Sequence, residues 1–225
     1  MTNYLIASSK DWFKAHPKSI QFSQLNVFEI TQKEELNLEY LETINPRYIF
    51  FPHWNWKVSA DIYERFECVV FHTAPLPYGR GGSPIQHLIL NGLKKSPVCA
   101  IKMTDILDGG PIYDSLEVSL EGTISEIFTR IADRVEKLIV SICQHTPHPK
   151  EQVGEPVAFK RLSTKDNELL SSHSIHELYD RIRMVDGGDY PKAYISFGDY
   201  KIEVTAAEVA GTELQAKIRL YRNDN

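Results

Sequence analysis

The sequence of 225 residues predicts an α/β fold, in which a mostly parallel sheet is followed by a small C-terminal α+β extension. Strand-like and helix-like segments alternate along the first part of the chain. Two of the strand segments are apolar at consecutive positions, as strands buried on both faces of a parallel sheet are. The composition, with 42% hydrophobic and 24% charged residues, is that of an ordinary globular protein long enough to bury a core.

Four N-terminal segments are dense in apolar, β-branched or aromatic residues and are predicted to be extended. They are NYLIAS (3–8), IQFSQLNVFEI (20–30), PRYIFFP (46–52) and ECVVFH (67–72). The charged, leucine-spaced stretch 33–44 predicts a surface helix that Pro46 ends. A crossover helix is expected within VSADIYERF, residues 58–66.

The middle of the chain contains two irregular stretches. The three prolines and three glycines of TAPLPYGRGGSP, residues 73–84, predict a loop without regular structure. Ser83 and Pro84 then suit the start of a helix that reaches about Leu93. The next strand is predicted at 96–104, and it is followed by the second irregular stretch, DILDGGP.

The last part of the chain is predicted to form a strand and a long helix, and then a separate small unit. After the strand at 112–120, Thr123 and Glu126 form a capping box for an amphipathic helix that reaches about His145. Prolines and a glycine between 147 and 156 are interpreted as a linker. The predicted domains are therefore 1–150 and 156–225. The second contains a helix at 175–185 and strands at 193–198, 200–210 and 214–222.

The charge and the cysteine count limit the class of partner. The net charge is −5 and the basic residues are scattered, so no nucleic-acid partner is expected. Three cysteines suit reduced thiols in a cytoplasmic protein. The N-terminus lacks the pattern of a secretion signal and no apolar run could span a bilayer, so no membrane partner is expected. Cys143, His145 and His148 lack a second ligand cluster, so no metal is expected either.

Three irregular stretches each directly follow a strand, and ligands of open parallel sheets bind at the carboxyl ends of the strands. The stretches are PHWNWK (52–57), HTAPLPYGRGGSP (72–84) and TDILDGGP (104–111). If the strands are neighbours, His53, His72 and Asp108 lie on one rim with Trp54 and Trp56. A histidine beside a carboxylate suits acid–base chemistry, because imidazole titrates near neutrality. The residues alone leave open a structural loop histidine and a turn aspartate.

A longer pattern points to a family. The segment FHTAPLPYGRGGSPIQHLILNG (71–92), with Asp108 in ILDGGPIY 36 residues after His72, resembles the formyltransferases that use N10-formyltetrahydrofolate. The likeness covers about 46–145. It is closest to the sugar N-formyltransferases of the pseudaminic-acid-type branch, and 156–225 look weakly like the C-terminal part of such enzymes. The resemblance implies a Rossmann-like formyltransferase domain at 1–150, which would be catalytic.

The resemblance also implies roles for the site residues. The neutral acceptor amine would attack the formyl carbon, and a tetrahedral oxyanion would form. His72 would stabilise the oxyanion or relay the proton of the amine, while Asp108 would orient His72 and take part in proton transfer. The family has an asparagine two positions before the histidine, where this chain has Val70. His53 is the preferred replacement and Asn55 the other candidate, with a purely structural His53 as the alternative.

Two segments match in order those that hold the pterin of the cofactor in the family. The residues expected to contact it are Trp54, Asn55, Trp56, Thr104, Ile106 and Leu107. The tryptophans are equally suited to the core. Arg80 is expected either to hold an anionic part of a ligand or to brace its loop. Ser8 and Ser9, at the end of the first strand, are expected near the phosphates of the acceptor.

The predicted function is transfer of a formyl group from N10-formyltetrahydrofolate to the primary amine of a small-molecule amino sugar. A nucleotide-linked 4-amino sugar for a surface polysaccharide or flagellar glycan is the preferred acceptor, since the acidic charge balance and the short second unit disfavour tRNA. The sequence is compatible with a homodimer. One alternative is a formyl hydrolase, which would release formate without an acceptor. The other is a non-catalytic module that binds folate or a sugar nucleotide.

Overall fold

A computed structural model describes residues 1–188 and 190–222. Residues 189 and 223–225 of the predicted second unit lie outside the described residues. The helices and strands up to the long helix are β1 (Asn3–Ser8), α1 (Asp11–Lys14), α2 (Ile20–Ser23), β2 (Asn26–Ile30), α3 (Leu38–Ile44), β3 (Tyr48–His53), α4 (Ala60–Tyr63), β4 (Cys68–Thr73), β5 (Tyr78–Gly81), α5 (Pro84–Leu90), β6 (Lys95–Lys102), β7 (Ile112–Ser119) and α6 (Ile124–His145). They are followed by β8 (Val157–Phe159), α7 (Ile175–Arg183), β9 (Ala193–Phe197), β10 (Tyr200–Ala210) and β11 (Glu213–Arg222).

The main sheet has the strand order β2-β1-β3-β4-β6-β7. Its first four strands are parallel to one another, whereas β6 pairs antiparallel with both β4 and β7. One face packs on a large apolar cluster that includes α6, and the other packs on a smaller cluster that includes α3 and α4. The predicted α/β fold with a mostly parallel sheet is therefore confirmed, although the predicted strand at 96–104 runs against its neighbours.

Helix α6 forms where its capping box predicts it. The Thr123 side chain accepts a hydrogen bond from the backbone N–H of Glu126, and the Glu126 carboxylate accepts one from the N–H of Thr123. The apolar stripe of the helix, with Ile127, Val135 and Leu138, is buried in the large cluster. Burying each such aliphatic side chain stabilises the fold by about 1.5–3 kcal/mol, so the burial of this face fixes α6 on the sheet.

Two of the predicted N-terminal elements are divided by side-chain caps. Residues 20–30 are not extended throughout, because Ser19 accepts from the N–H of Phe22 and starts α2 before β2 begins. The helix predicted at 33–44 is split into a 3₁₀ turn and α3. Asn37 separates them, since its side chain accepts from the N–H of Tyr40 and caps α3. Polar side chains next to the backbone thus compete with the longer elements.

The stretch predicted to be irregular at 73–84 contains a strand. Strand β5 pairs in parallel with β8, and the Gly82 N–H also donates to the carbonyl of Phe159. The sequence prediction was wrong here because the partner strand lies far along the chain and YGRG has no strand-like pattern of its own. The predicted crossover helix at 58–66 is reduced to the single turn of α4.

The C-terminal strands form a separate antiparallel sheet in the order β11-β10-β9. On one face Ala193 and Val204 are buried with Ile182 of α7 in the large cluster. Further out, the same face exposes apolar side chains, namely Ile195, Phe197, Tyr200, Ile218 and Leu220. The boundary between 1–150 and 156–225 stays a prediction, and β8 is hydrogen-bonded to β5 of the first unit.

In the described residues, no helix combines the length and the apolar character that crossing a membrane requires.

Candidate active site

His72 lies near the end of β4 and its side chain is only 8% exposed. Its Nε2 lies 2.7 Å from the carbonyl oxygen of Gly79. Because a carbonyl can only accept a hydrogen bond, Nε2 carries a proton. The other ring nitrogen, Nδ1, faces Asp108 at 3.5 Å from Oδ2. Nδ1 is therefore the ring atom that faces the carboxylate.

Gly79 can hold its carbonyl against His72 because it has no side chain. Its φ is +90°, and a Cβ there would lie 2.9 Å from Cβ of Ala74 and 2.9 Å from Cε2 of Phe159. Those distances are too short for carbon atoms, and a positive φ is itself strained for other residues. Glycine at this position thus fixes the tautomer of His72.

Asp108 reaches His72 from the end of the sheet at which β4 begins. Strand β6 is antiparallel to β4, and the Met103 N–H donates to the carbonyl of Cys68 at the beginning of β4. His72 is four residues further along β4, or roughly 13 Å at the rise of an extended strand. The loop after β6 therefore folds back along β4. We expected β6 to be parallel to β4 and to end at the same rim, and this was wrong because β6 is antiparallel. His72 and Asp108 nevertheless meet, as expected.

The backbone of Asp108 is left-handed, with φ of 51°. Its Oδ2 accepts a hydrogen bond of 2.9 Å from the Gly81 N–H, and its carbonyl accepts one of 2.8 Å from Nε2 of Gln152. The same Gln152 nitrogen donates to the carbonyl of Gly110 at 2.8 Å. The sequence did not indicate Gln152, because it lies in the proline-bounded stretch interpreted as a linker.

Arg80 braces this arrangement. Its Nε and Nη2 donate to Oε1 of Gln152 at 3.1 and 2.7 Å. Of the two expectations for Arg80, bracing a loop is the one that matches these contacts, while a ligand contact stays a prediction.

His53 ends β3 with its ring turned toward Asn55 and Trp12. Its Nε2 lies 3.2 Å from Oδ1 of Asn55, and the ring meets the Trp12 indole edge-on. Burial lowers the pKa of His53, and the charges of Lys10 and Arg161 lower it further, whereas the Asn55 contact opposes them. The ring is therefore uncharged near neutrality, with Nε2 donating to the amide oxygen and Nδ1 left as an acceptor.

Beside His72, the structure provides an apolar floor and an unsatisfied donor. Val70 lies on the same face of β4 two residues before His72, and it packs on the smaller cluster together with Trp54 and Met103. The Trp54 ring meets Trp56 edge-on. In the part of the chain that the structure describes, Nε1 of Trp54 is buried without a hydrogen-bond partner. A buried donor left unpaired costs about 1–3 kcal/mol, so this N–H favours a ligand acceptor.

The loop that precedes Asp108 presents apolar side chains to solvent. Thr104 holds it by exchanging hydrogen bonds of 3.3 Å with the N–H and carbonyl of Ile106. Ile106 is 58% exposed and Leu107 is 73% exposed. Exposed apolar side chains and an unpaired N–H such as that of Trp54 are each features that suit a flat heterocycle with polar edges, such as a pterin.

Ser8 and Ser9 follow β1 next to β3. The Ser9 N–H and hydroxyl both donate to the carbonyl of His53, at 2.8 and 3.2 Å, and the Ser8 hydroxyl donates to the carbonyl of Lys10. These donors are thus committed to the protein, and a phosphate contact at the two serines stays a prediction.

Across residues 1–188 and 190–222, the His, Cys, Asp and Glu side chains form no group of three or more that could hold a metal ion.

Comparison with known proteins gives this geometry a context. A family model described as the C-terminal domain of methionyl-tRNA formyltransferase matches residues 164–221. The methionyl-tRNA formyltransferase of Campylobacter jejuni subsp. doylei is 32% identical over 152 residues, which are 66% of this chain and 50% of that protein. The chain thus spans about half the length of the curated relatives it matches.

Solved structures match over a greater length. The structure of a methionyl-tRNA formyltransferase from Clostridium thermocellum superposes with a TM-score of 0.92 and 36% identity, over 99% of this chain and 100% of that one. A sugar N-formyltransferase from Shewanella shares the fold, with a TM-score of 0.68 and 17% identity over 93% of this chain and 99% of that one. The predicted likeness to the pseudaminic-acid-type branch is not confirmed. The full-length match at 36% identity means that this chain belongs to the formyltransferase family, a family of enzymes.

Proposed function

We propose that this protein transfers a formyl group from N10-formyltetrahydrofolate to the primary amine of an amino sugar. The observation that carries the proposal is the buried pair formed by His72 and Asp108, whose Nδ1 and Oδ2 lie 3.5 Å apart. Acyl transfer to an amine needs a group that stabilises charge on the acyl oxygen and a group that removes the proton of the amine. An imidazole and a carboxylate provide both.

The tautomer of His72 suggests how the two groups divide the work. Nε2 is held by the Gly79 carbonyl, so Nδ1 is the nitrogen left for the substrate side and for Asp108. When Nδ1 also carries a proton, it can stabilise the charge that develops on the formyl oxygen. Asp108 then accepts the proton that the acceptor amine loses. That proton would be returned to the tetrahydrofolate nitrogen when its bond to the formyl carbon breaks. Its carboxylate is aimed by the Gly81 N–H, so little reorganisation is needed.

The position of the family asparagine has no side-chain donor, because Val70 is apolar. His53 remains our candidate for this donor, and its contact with Asn55 sets a condition. As a neutral ring it has one N–H, which Asn55 occupies. To act on the formyl oxygen, His53 would have to release Asn55. The amide nitrogen of Asn55 is our other candidate.

N10-formyltetrahydrofolate, when bound, supplies the formyl carbon that the acceptor amine attacks. The residues that would hold its pterin are Trp54, through the unpaired indole N–H, and Ile106 and Leu107, through exposed apolar surface. Val70 and Met103 line the adjoining apolar cluster. This combination of one orphaned donor with apolar walls fits a heterocyclic cofactor.

For the acceptor, the charge of the chain favours a small molecule. The net charge is −5, and nucleic-acid binding depends on neutralising phosphates with clustered basic residues. The exposed end of the C-terminal sheet is apolar on the face that carries Ile195, Phe197 and Leu220. A nucleotide-linked 4-amino sugar matches the primary amine that the chemistry needs, and a bacterial surface or flagellar glycan is the destination we propose for the product.

Methionyl-tRNA is the second candidate acceptor. Several relatives that reach 30% identity are named methionyl-tRNA formyltransferases, and the family model at 164–221 is described as the C-terminal domain of that enzyme. The polar face of the C-terminal sheet also carries Lys201, Lys217 and Arg219, which the strand register puts on one side. Those three side chains could contact phosphates.

The test is to incubate the protein with N10-formyltetrahydrofolate and either a panel of nucleotide-linked amino sugars or methionyl-tRNA. Mass spectrometry then detects the acceptor that gains one formyl group. We expect the gain on an amino sugar, and we expect His72→Ala to abolish most of it. Gain on methionyl-tRNA alone would replace the first acceptor by the second.

Two other outcomes would reject transfer itself. Release of formate without any acceptor indicates a hydrolase. Binding of tetrahydrofolate with no turnover on any acceptor, and no difference between wild type and His72→Ala, indicates a binding module.

A further inference from the structure

One carboxamide joins the Asp108 turn to the loop of Arg80. Gln152 donates from Nε2 to the carbonyls of Asp108 and Gly110, both at 2.8 Å. Its Oε1 accepts from Nε and Nη2 of Arg80, at 3.1 and 2.7 Å. All of the hydrogen bonds that a carboxamide commonly makes are thus used between two catalytic loops.

The turn that Gln152 holds has little room to move. A Cβ on Gly110 would lie 1.8 Å from the carbonyl oxygen of Lys102, so the turn is pressed against the end of β6. Asp108 has a φ of 51°, which few residues other than glycine adopt. Such a strained conformation persists only when several surrounding contacts hold it in place. The Lys102 backbone blocks one side of the turn, and Gln152 holds the other.

We propose that Gln152 is a positioning residue for Asp108, and that Arg80 acts through Gln152. This rests on the proposed function, in which Asp108 accepts the proton of the amine. By fixing the carbonyls on both sides of Gly109, Gln152 sets the direction in which the Asp108 carboxylate leaves the backbone. That direction brings Oδ2 to 3.5 Å from Nδ1 of His72 and to 2.9 Å from the Gly81 N–H.

The side chain must be an amide for this task. Two carbonyl oxygens need donors, and the Arg80 guanidinium needs an acceptor. A carboxylate of the same length keeps the acceptor but loses both donors, and its charge repels the two carbonyls. Gln152→Glu therefore removes the hydrogen bonds to the turn but keeps the pairing with Arg80, while Gln152→Ala removes both.

The experiment compares wild type, Gln152→Glu and Gln152→Ala, with Gln144→Glu as the matched control. Gln144 is exposed near the end of α6, so Gln144→Glu introduces the same change of charge away from the site. Formyl transfer is measured as separate kcat and KM values. Because small displacements of a catalytic group are costly, we expect kcat to fall about ten- to hundredfold in both Gln152 variants. KM should change less than about twofold, because the lost interaction acts on the transition state.

A second readout does not depend on turnover. The ring ¹⁵N signals of His72 report on the group that faces Nδ1, so they should shift in both Gln152 variants and stay unchanged in Gln144→Glu. Adding Arg80→Ala to Gln152→Ala should lower kcat by much less than Arg80→Ala does alone, since residues of one network are not additive.

Unchanged kcat and unchanged His72 signals in Gln152→Glu would overturn the positioning role. A loss of kcat that only follows a loss of folded protein, with native His72 signals in the remainder, would overturn it too. If wild type transfers no formyl group to any acceptor, the proposed function fails. The His72 signals then still decide whether Gln152 positions Asp108.

Discussion

The two loops that flank the site are held very differently. The turn at Asp108 is tied by hydrogen bonds to Gly81 and Gln152 and pressed against the end of β6. The loop that begins at His53 is tied at its start, where the His53 carbonyl accepts from Ser9 and the His53 ring bonds Asn55. Further along it, the described residues offer no partner to the buried N–H of Trp54.

This difference separates two tasks. Proton transfer needs groups fixed before the substrate arrives, since reorganising them during the reaction raises the barrier. Binding a cofactor gains from donors and apolar surface that only the ligand satisfies. In the proposed function, the fold therefore assembles the His72–Asp108 pair by itself and leaves the proposed cofactor wall incomplete.

The largest effect should come from removing the carboxylate of the fixed loop. We expect Asp108→Asn to lower kcat about a hundredfold or more, because the amide keeps the shape but cannot accept the proton. Asp105→Asn, on the exposed part of the same loop, is the control and should keep wild-type kcat. Near-normal kcat in Asp108→Asn would show that the fixed turn serves another purpose.

A smaller effect is expected where the backbone holds His72. Gly79→Ala adds a carbon 2.9 Å from Ala74 Cβ and Phe159 Cε2. The backbone at Gly92 has the same sign of φ, but a Cβ there would have no atom of the described residues within 4 Å. Overpacking costs about 1–3 kcal/mol, so Gly79→Ala should lower the free energy of unfolding by about that much more than Gly92→Ala. Denaturant unfolding measures this difference. Equal losses in the two variants would mean that the Gly79 carbonyl is not wedged in place.

On the incomplete loop, we expect Trp54→Phe to weaken cofactor binding with little loss of stability. The phenyl ring keeps apolar packing but removes the buried unpaired N–H. The free energy of unfolding should therefore fall by less than is usual when an aromatic side chain is made smaller, or even rise. Tetrahydrofolate should bind about two- to tenfold more weakly, as for one lost hydrogen bond. Calorimetry measures both quantities. Trp56→Phe is the control, and an equal loss of affinity there would remove the role of the orphaned N–H.

The smallest effect concerns the protonation of His53. Its pKa is lowered from 6.5 chiefly by burial, so the unfolded chain binds a proton more readily than the folded one. The contribution of this ring to stability is therefore lost as the pH falls below about 6.5. We expect the stability of wild type relative to His53→Gln to decrease between about pH 7.5 and about pH 5. A constant difference across that range would contradict the buried, uncharged ring.

The sequence predicted the elements whose signals are local. The capping box of Thr123 and Glu126 marks the start of α6, and the apolar strands mark the centre of the sheet. His72 and Asp108 were found through a motif. The direction of β6 was not predictable, since a buried strand has the same pattern whichever way it runs.

The contacts that complete the site have no local signal. Strand β5 forms because Val157–Phe159 pairs with it. YGRG has no strand-like pattern, and the three apolar residues of VAF are too few to stand out. Gln152 lies between Pro149 and Pro156, in a composition typical of connectors. Only the long-range fold shows that this stretch carries hydrogen bonds to Asp108.

After α6, the chain returns to the first unit and pairs β8 with β5. This pairing limits how proteins of this kind can be recombined. A chimera joined directly after His145 would inherit every strand of the large sheet, yet Asp108, the proposed proton acceptor, would have lost its hydrogen bond from Gln152. If Gln152 positions Asp108 as proposed, crossovers that preserve catalysis fall after Phe159, so that the exchangeable piece is shorter than the composition of the chain suggests.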